Sequence, residues 1–282
     1  MIAELDPTLA RIHHLLLLDA AVSRDDVAAL ARSRYDTAGW AQADLLTLEP
    51  GAFLTGPWMV PPALRAALDS PDWAAQAYLC IVTQDRAGEL PPDLAGLDPA
   101  MDAYPFATPR GIELDTLRFL QSAARRLAGA LRFGGTAVVS QPDPRSAVDL
   151  TVYTPTRLAL EEVLEVLEPY GARLDSASRA TFSLVLPPVA GRGDAGIIQV
   201  LAERHPVAPL ALLGLEWAQD GARGHEVRWY PPEEFHVPGA RLTASQRATR
   251  AEAAATVERV ARILCQVGEG MAVDDDGFVV AL

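Results

Sequence analysis

Two histidines and three glutamates lie between residues 225 and 236, and such side chains can bind divalent metals or transfer protons. The candidate ligands are His225, Glu233, Glu234 and His236. Their spacing does not match the helical HExxH pattern, and two consecutive prolines place the glutamates in a loop. Strand alternation turns His225 and Glu226 to opposite faces, which weakens a shared site. The segment predicts a solvated loop, and a metal-assisted hydrolase is the alternative.

Two further pairs of reactive side chains have structural explanations. His13 and His14 are neighbours on a predicted helix, about 100° apart, so they cannot chelate one ion together. We expect His13 to be partly buried and His14 to face solvent. Cys80 and Cys265 have apolar neighbours, which predicts buried, reduced thiols. Their surroundings contain no recognisable catalytic signature, and the reactivity of either thiol stays open.

The basic residues exclude several classes of enzyme. All 24 are arginines, because the chain contains no lysine. Asparagine is absent as well. A Schiff-base lysine and a Walker A lysine are therefore impossible. Codon usage in a GC-rich bacterial genome explains this depletion, since both amino acids have AA-initial codons.

The net charge of −13 disfavours binding to nucleic acids and to anionic membranes. Residues 1–110 carry 15 acidic residues against 7 arginines, which suggests a separate acidic module. The beginning of the sequence has no basic leader pattern, so we expect a cytoplasmic protein.

Arginines recur along two predicted helices, at 113–133 and 243–266. The stripe consists of Arg118, Arg125 and Arg132 on the first helix, with Arg259 and Arg262 on the second. Residues seven apart lie on one helical face. Such a face is usually solvated, and the alternative is an interaction surface for an acidic partner.

The order of the predicted elements indicates an α+β protein. Residues 7–34 read as two helices, and the apolar run at 77–83 is a strand. A proline-rich loop follows at 91–110. From residue 113 onward, helices alternate with short strands joined by tight turns. This order predicts a mostly antiparallel sheet with helices on one face, as in ferredoxin-like split βαβ units, preceded by a helical N-terminal region.

We expect an acidic helical region at 1–76 and an α+β domain at 77–282. Within the latter, 77–153 and 154–282 could be related sub-units. The stretch from Arg126 through Gly134-Gly135 resembles the stretch from Arg259 through Gly268. Duplication explains this similarity, and so does the common helix–glycine–strand connection; both explanations stay open.

No motif identifies a family. Few catalytic residue types are concentrated anywhere in the sequence, which favours a non-catalytic protein that acts through protein–protein interaction or regulation, with a protein partner and without a cofactor. The alternatives are the metal-assisted hydrolase and a small-molecule binding domain.

Overall fold

The computed structural model describes residues 3–178, 181–188, 195–205, 207–219, 221–235 and 242–282. The chain forms two compact units, Met1–Ser146 and Ala147–Leu282. The expected boundary at residue 76 lies inside the first unit. The strand that begins at Gln76 is hydrogen-bonded on both sides to other strands of this unit, so the chain does not divide there.

The first unit is built on a seven-stranded antiparallel sheet with the order β2-β3-β4-β5-β1-β6-β7. Its elements are α1 Pro7–Ile12, β1 His14–Leu18, α2 Arg24–Arg34, β2 Gly39–Gln42, β3 Leu45–Glu49, β4 Ala52–Met59, α3 Pro62–Ala67, β5 Gln76–Val82, α4 Pro99–Asp102, α5 Gly111–Arg126, β6 Ala130–Arg132 and β7 Val139–Ser140.

The predicted helical start of the chain is partly wrong. α1 begins as expected, because the carboxylate of Asp6 accepts hydrogen bonds from the backbone amides of Thr8 and Leu9. However, the helix ends at Ile12, and the following residues form the inner strand β1. Four consecutive leucines have no helical period, and an inner strand buries both faces. All five residues of β1 are buried between β5 and β6.

Helices cover both faces of this sheet. Leu15 and Leu17 of β1 pack in one apolar cluster with Ala10 of α1 and Leu64 of α3. Because side chains alternate along a strand, His14 points to the other face, where it contacts α5. The expected solvent-facing position of His14 is therefore wrong.

The second unit is built on another seven-stranded antiparallel sheet, with the order β14-β13-β8-β12-β11-β10-β9. Its elements are β8 Leu150–Thr154, α6 Leu160–Leu167, β9 Arg173–Ala177, β10 Phe182–Leu186, β11 Ile197–His205, β12 Ala222–Tyr230, α7 Ala244–Gly268, β13 Met271–Asp274 and β14 Val279–Val280. Thr243 and Gln246 form a capping box at the start of α7.

The core of the second unit lies between this sheet and its helices. Val257 and Leu264 of α7 are fully buried in one cluster with Val152, Val200 and Val227 of the strands. A second, smaller cluster lies on the other face of the sheet, since it contains Tyr153 and Val273, and the segment between β11 and β12 contributes buried apolar residues to it.

The two units have the same sheet topology. Both run β-α-β-β-β-β-α-β-β along the chain, apart from the additional helices of the first unit, and the first strand of each lies between the fifth and sixth strands. The connections at 60–75 and 206–221 join equivalent strands and have the same length. Each contributes buried apolar residues to a cluster of its own unit.

The prediction of an α+β protein with antiparallel strands is confirmed. The ferredoxin-like arrangement is not confirmed. A ferredoxin-like unit has two strands between its helices, whereas four strands separate the two main helices of each unit here.

Candidate functional site: an anchored ribbon in the first unit

The described metal-ligand candidates do not form one cluster. His225 lies on β12 and is buried, with its ring 6.2 Å from that of Phe182, whereas Glu233 and Glu234 are exposed in a 3₁₀ turn. His236 lies outside the described residues. Within the described ranges, no group of three or more histidines, cysteines, aspartates or glutamates could hold a metal ion.

Arg132 does not continue the arginine stripe of α5. The helix ends at Arg126, and Arg132 lies in β6 with 5% of its surface exposed. Its guanidinium donates hydrogen bonds to the carbonyl oxygens of Ala10, Arg11 and Thr136. The first two carbonyls belong to the last turn of α1, so the arginine caps that helix. The expected exposure of Arg132 is therefore wrong.

The other four arginines of the predicted surface are divided between the two units. Arg118 and Arg125 lie on α5, and Arg118 forms an ion pair with Asp98 at 2.9 Å. Arg259 and Arg262 are exposed on α7. An interaction surface formed by these arginines stays a prediction for each helix separately.

Both cysteines are free thiols. Burial raises the pKa of Cys80 far above its ordinary value, and the nearby Glu113 raises it further. Burial also raises the pKa of Cys265 to about 11. Because the thiolate is the reactive form, these raised pKa values disfavour nucleophilic chemistry of either thiol at neutral pH.

A buried carboxylate organises the first unit. Glu113, in the first turn of α5, is completely buried. One of its oxygens lies 2.5 Å from the guanidinium of Arg86 and 3.4 Å from Nε2 of His14. The other oxygen accepts a hydrogen bond from the backbone amide of Asp85 at 3.0 Å. These contacts compensate the cost of burying the charge.

His14 completes this network on the sheet side. Its Nδ1 accepts a hydrogen bond from the backbone amide of Gly134 at 3.1 Å, so Nε2 carries the ring proton toward Glu113. A side chain at Gly134 would lie 2.5 Å from the backbone of His13, and only glycine permits this close approach. Because Nδ1 already accepts a hydrogen bond, His14 has a structural role and is not a free general base.

The network holds the base of a long connection between β5 and α5. The guanidinium of Arg86 lies 3.6 Å above the ring of Tyr104. The hydroxyl of Tyr104 donates a hydrogen bond to the carbonyl oxygen of Gly134 at 2.7 Å. Burial raises the pKa of Tyr104, which keeps this hydroxyl protonated as a donor. The connection is thus tied to β6 as well as to α5.

Residues 86–90 and 105–109 form two antiparallel arms, which we call the ribbon. Ala87 donates a backbone hydrogen bond to Thr108, and Leu90 donates one to Pro105, both at 2.8 Å. The amide of Thr108 donates back to Gly88 at 3.1 Å. An isolated β-bridge between residues 86 and 109 closes the base. These bonds fix the backbone of a segment that the sequence predicted as a loop.

The ribbon and its tip expose apolar side chains. Phe106 is 80% exposed, the highest value for a large apolar residue in the described part of the chain. Leu97 at the tip is 64% exposed. A single exposed apolar side chain is ordinary, and the exposed ring on an ordered backbone makes Phe106 a candidate contact for a partner.

The sequence contained one signal for this site. Glu113 lies on the same helical face as Leu117, Leu120 and Ala124, so a carboxylate interrupts an apolar stripe. A charge in that position is buried against the core and requires partners. Its partners, Arg86 and His14, lie far away along the chain and could not be identified from spacing.

The comparisons with known proteins find no family model, no curated protein and no solved structure that matches this chain. Among the helices that the structure describes, none combines the length and the apolar character that crossing a bilayer requires.

Proposed function

We propose that this chain is a non-catalytic cytoplasmic protein that binds a partner protein through the ribbon of its first unit. The observation that carries this proposal is the exposure of Phe106 on an anchored backbone. Burying a phenylalanine side chain at an interface stabilises a complex by roughly 1.5–3 kcal/mol. Aromatic anchors of this kind account for much of the affinity in many protein interfaces.

The anchoring increases the affinity that such a contact can supply. A flexible loop loses conformational entropy when it binds, whereas the ribbon is already ordered by its backbone hydrogen bonds. The ion pair between Arg86 and Glu113 and the hydroxyl of Tyr104 fix its base. The backbone that carries Phe106 is therefore ordered before the partner arrives.

We also propose that the two units arose by duplication of one α+β unit. The shared element order, the shared strand order and the equal connections at 60–75 and 206–221 support this origin. The ribbon is an addition to one copy only, at the connection between β5 and α5. In repeated folds, such insertions are frequent carriers of binding function.

Affinity capture with the full chain tests the proposed function. The tagged protein and its Phe106→Ala variant are incubated with extract of the source cell, and recovered proteins are quantified by mass spectrometry. We expect one stoichiometric partner, with recovery reduced about tenfold by the substitution, which corresponds to about 1.4 kcal/mol. Leu174→Ala, which removes a half-exposed leucine from β9, is the matched control. Equal recovery with the Phe106→Ala variant contradicts the proposal.

A further inference from the structure

The ribbon carries a second feature beside its exposed aromatic ring. Leu90 donates a backbone hydrogen bond to Pro105, and Glu89 and Phe106 are the chain neighbours of these two bonded residues on the two arms. Both residues are exposed, and Asp93 is exposed just beyond the first arm. The connection between β5 and α5 thus exposes both the aromatic ring of Phe106 and the carboxylates of Glu89 and Asp93.

The cations near these carboxylates are already engaged elsewhere. Arg86 pairs with Glu113, Arg110 with Asp85 and Arg118 with Asp98. In the part of the chain that the structure describes, neither Glu89 nor Asp93 has an ion-pair partner. The surface around Phe106 therefore keeps a local negative charge that a partner can neutralise.

We infer that the partner is a basic protein, with an apolar pocket for Phe106 and lysine or arginine side chains at the rim of that pocket. This inference rests on the proposed function. Complementary charge at the rim speeds association and excludes wrong partners. Nucleic acids and anionic membranes are repelled by the same carboxylates. A second copy joined symmetrically through its ribbon would bring like charges together.

The absence of lysine in this chain makes the inference directly testable. A carbodiimide joins a carboxylate to a primary amine, forming an amide with loss of water. The only amine of this chain is its N-terminus, because it contains no lysine. If Glu89 or Asp93 forms an amide with a lysine side chain, that lysine must therefore belong to a different protein.

The experiment treats the full chain with carbodiimide in source-cell extract that has been divided on a cation exchanger at neutral pH. We expect links from Glu89 or Asp93 to lysines of one protein in the bound, basic fraction. The double variant Glu89→Gln, Asp93→Asn should lower uncross-linked capture about fivefold. Raising the salt from ~0.05 M to ~0.5 M should lower it as well. Glu161→Gln, an exposed carboxylate on α6, is the matched control.

The possible failures are distinguishable. If Phe106→Ala lowers capture but the double variant and salt do not, the basic partner is wrong and the proposed function stands. If Phe106→Ala has no effect, the proposed function itself fails. A ribbon link to the N-terminal amine of a second copy, together with a dimer in sedimentation that the Phe106→Ala variant lacks, overturns the basic partner in favour of self-association. Capture that nuclease abolishes overturns it in favour of nucleic acid.

Discussion

The two units have one topology and different surfaces. In each, a central first strand lies between the fifth and sixth strands, and a long helix packs on the sheet. The connections that follow the fifth strand differ. In the first unit this connection spans 83–110 and contains the ribbon, whereas in the second it spans 231–243. The comparison separates the strands and the long helix that both units share from the ribbon, which belongs to the first unit.

The added segment also explains the buried charge of the first unit. Glu113, Arg86 and His14 join α5, the ribbon and β1. In the second unit, the face of α7 that contacts the sheet contributes apolar residues such as Val257 and Leu264. In the first unit the polar network thus holds a long connection, whereas these two buried residues of α7 are apolar.

Removal of the Glu113 carboxylate should have the largest effect. Glu113→Ala leaves the guanidinium of Arg86 and the ring of His14 without their buried partner, which should cost about 3–5 kcal/mol. Hydrogen exchange should show the loss of protection in the first unit, while peptides of the second unit keep theirs. Glu161→Gln on α6 is the control, and Glu113→Gln tests the charge alone if the alanine variant does not fold. An equal loss of protection in both units would contradict the expectation that their cores unfold independently.

Matched core truncations should test the comparison at equivalent helices. Leu120 on α5 and Leu264 on α7 are both fully buried leucines. Leu120→Ala and Leu264→Ala should each lower the free energy of unfolding by about 2–5 kcal/mol. In each variant, hydrogen exchange should increase mainly in the unit that carries the substitution. If Leu264→Ala exposed the first unit just as strongly, the two cores would form one cooperative system.

The smallest expected difference is in acid titration. Hydrogen bonds from Ser23 lower the pKa of Asp26 in the first unit, whereas burial raises the pKa of Asp149 in the second. The stabilisation that Asp26 contributes is present above the ordinary pKa of 3.8 and is lost as the pH falls through its lower folded pKa. Asp149 affects the free energy of unfolding in the opposite direction. Its ionisation lowers the stability as the pH rises from 3.8 through its higher folded pKa. Carboxyl chemical shifts should titrate on opposite sides of 3.8, and the same side for both would contradict this assignment.

Duplication stays a proposal, and the residues that the sequence comparison matched are not equivalent in the structure. The predicted repeat matched Arg126 with Arg259 and Gly134 with Gly268. In the structure, Arg126 ends α5 while Arg259 lies within α7, and Gly134 follows β6 while Gly268 ends α7. The matched residues thus occupy non-equivalent places, although the units that contain them share one topology. Short helix–glycine–strand patterns recur too often to fix a register.

The predicted acidic module also depended on a wrong boundary. Counted to residue 110, the first part is markedly acidic. Counted by the structural units, residues 1–146 contain 18 acidic residues against 12 arginines, and residues 147–282 contain 19 against 12. The two units are therefore about equally acidic, and the asymmetry arose because residues 111–146, which belong to the first unit, contain five arginines against three acidic residues.

Local chemistry determined much of this protein before any tertiary contact. The side chains of capping residues such as Asp6, Ser23 and Thr243 accept hydrogen bonds from backbone amides two or three residues ahead and so start their helices. The alternation of β12 turns His225 inward and Glu226 outward as expected. The absence of lysine excludes its chemistry in any fold. These features depend on neighbouring residues alone.

Tertiary structure decided the rest, because the deciding partners lie far apart along the chain. The leucines of β1 suit a helix or a strand, and pairing with β5 and β6 selects the strand. α5 ends at Arg126, since Ala128 has a φ of 50° and a side chain at Gly129 would lie 2.6 Å from the carbonyl oxygen of Leu17. Glu113 is buried with its charge because Arg86 and His14 reach it from two other segments. Rules based on residue spacing cannot predict contacts between segments that are so far apart in the sequence.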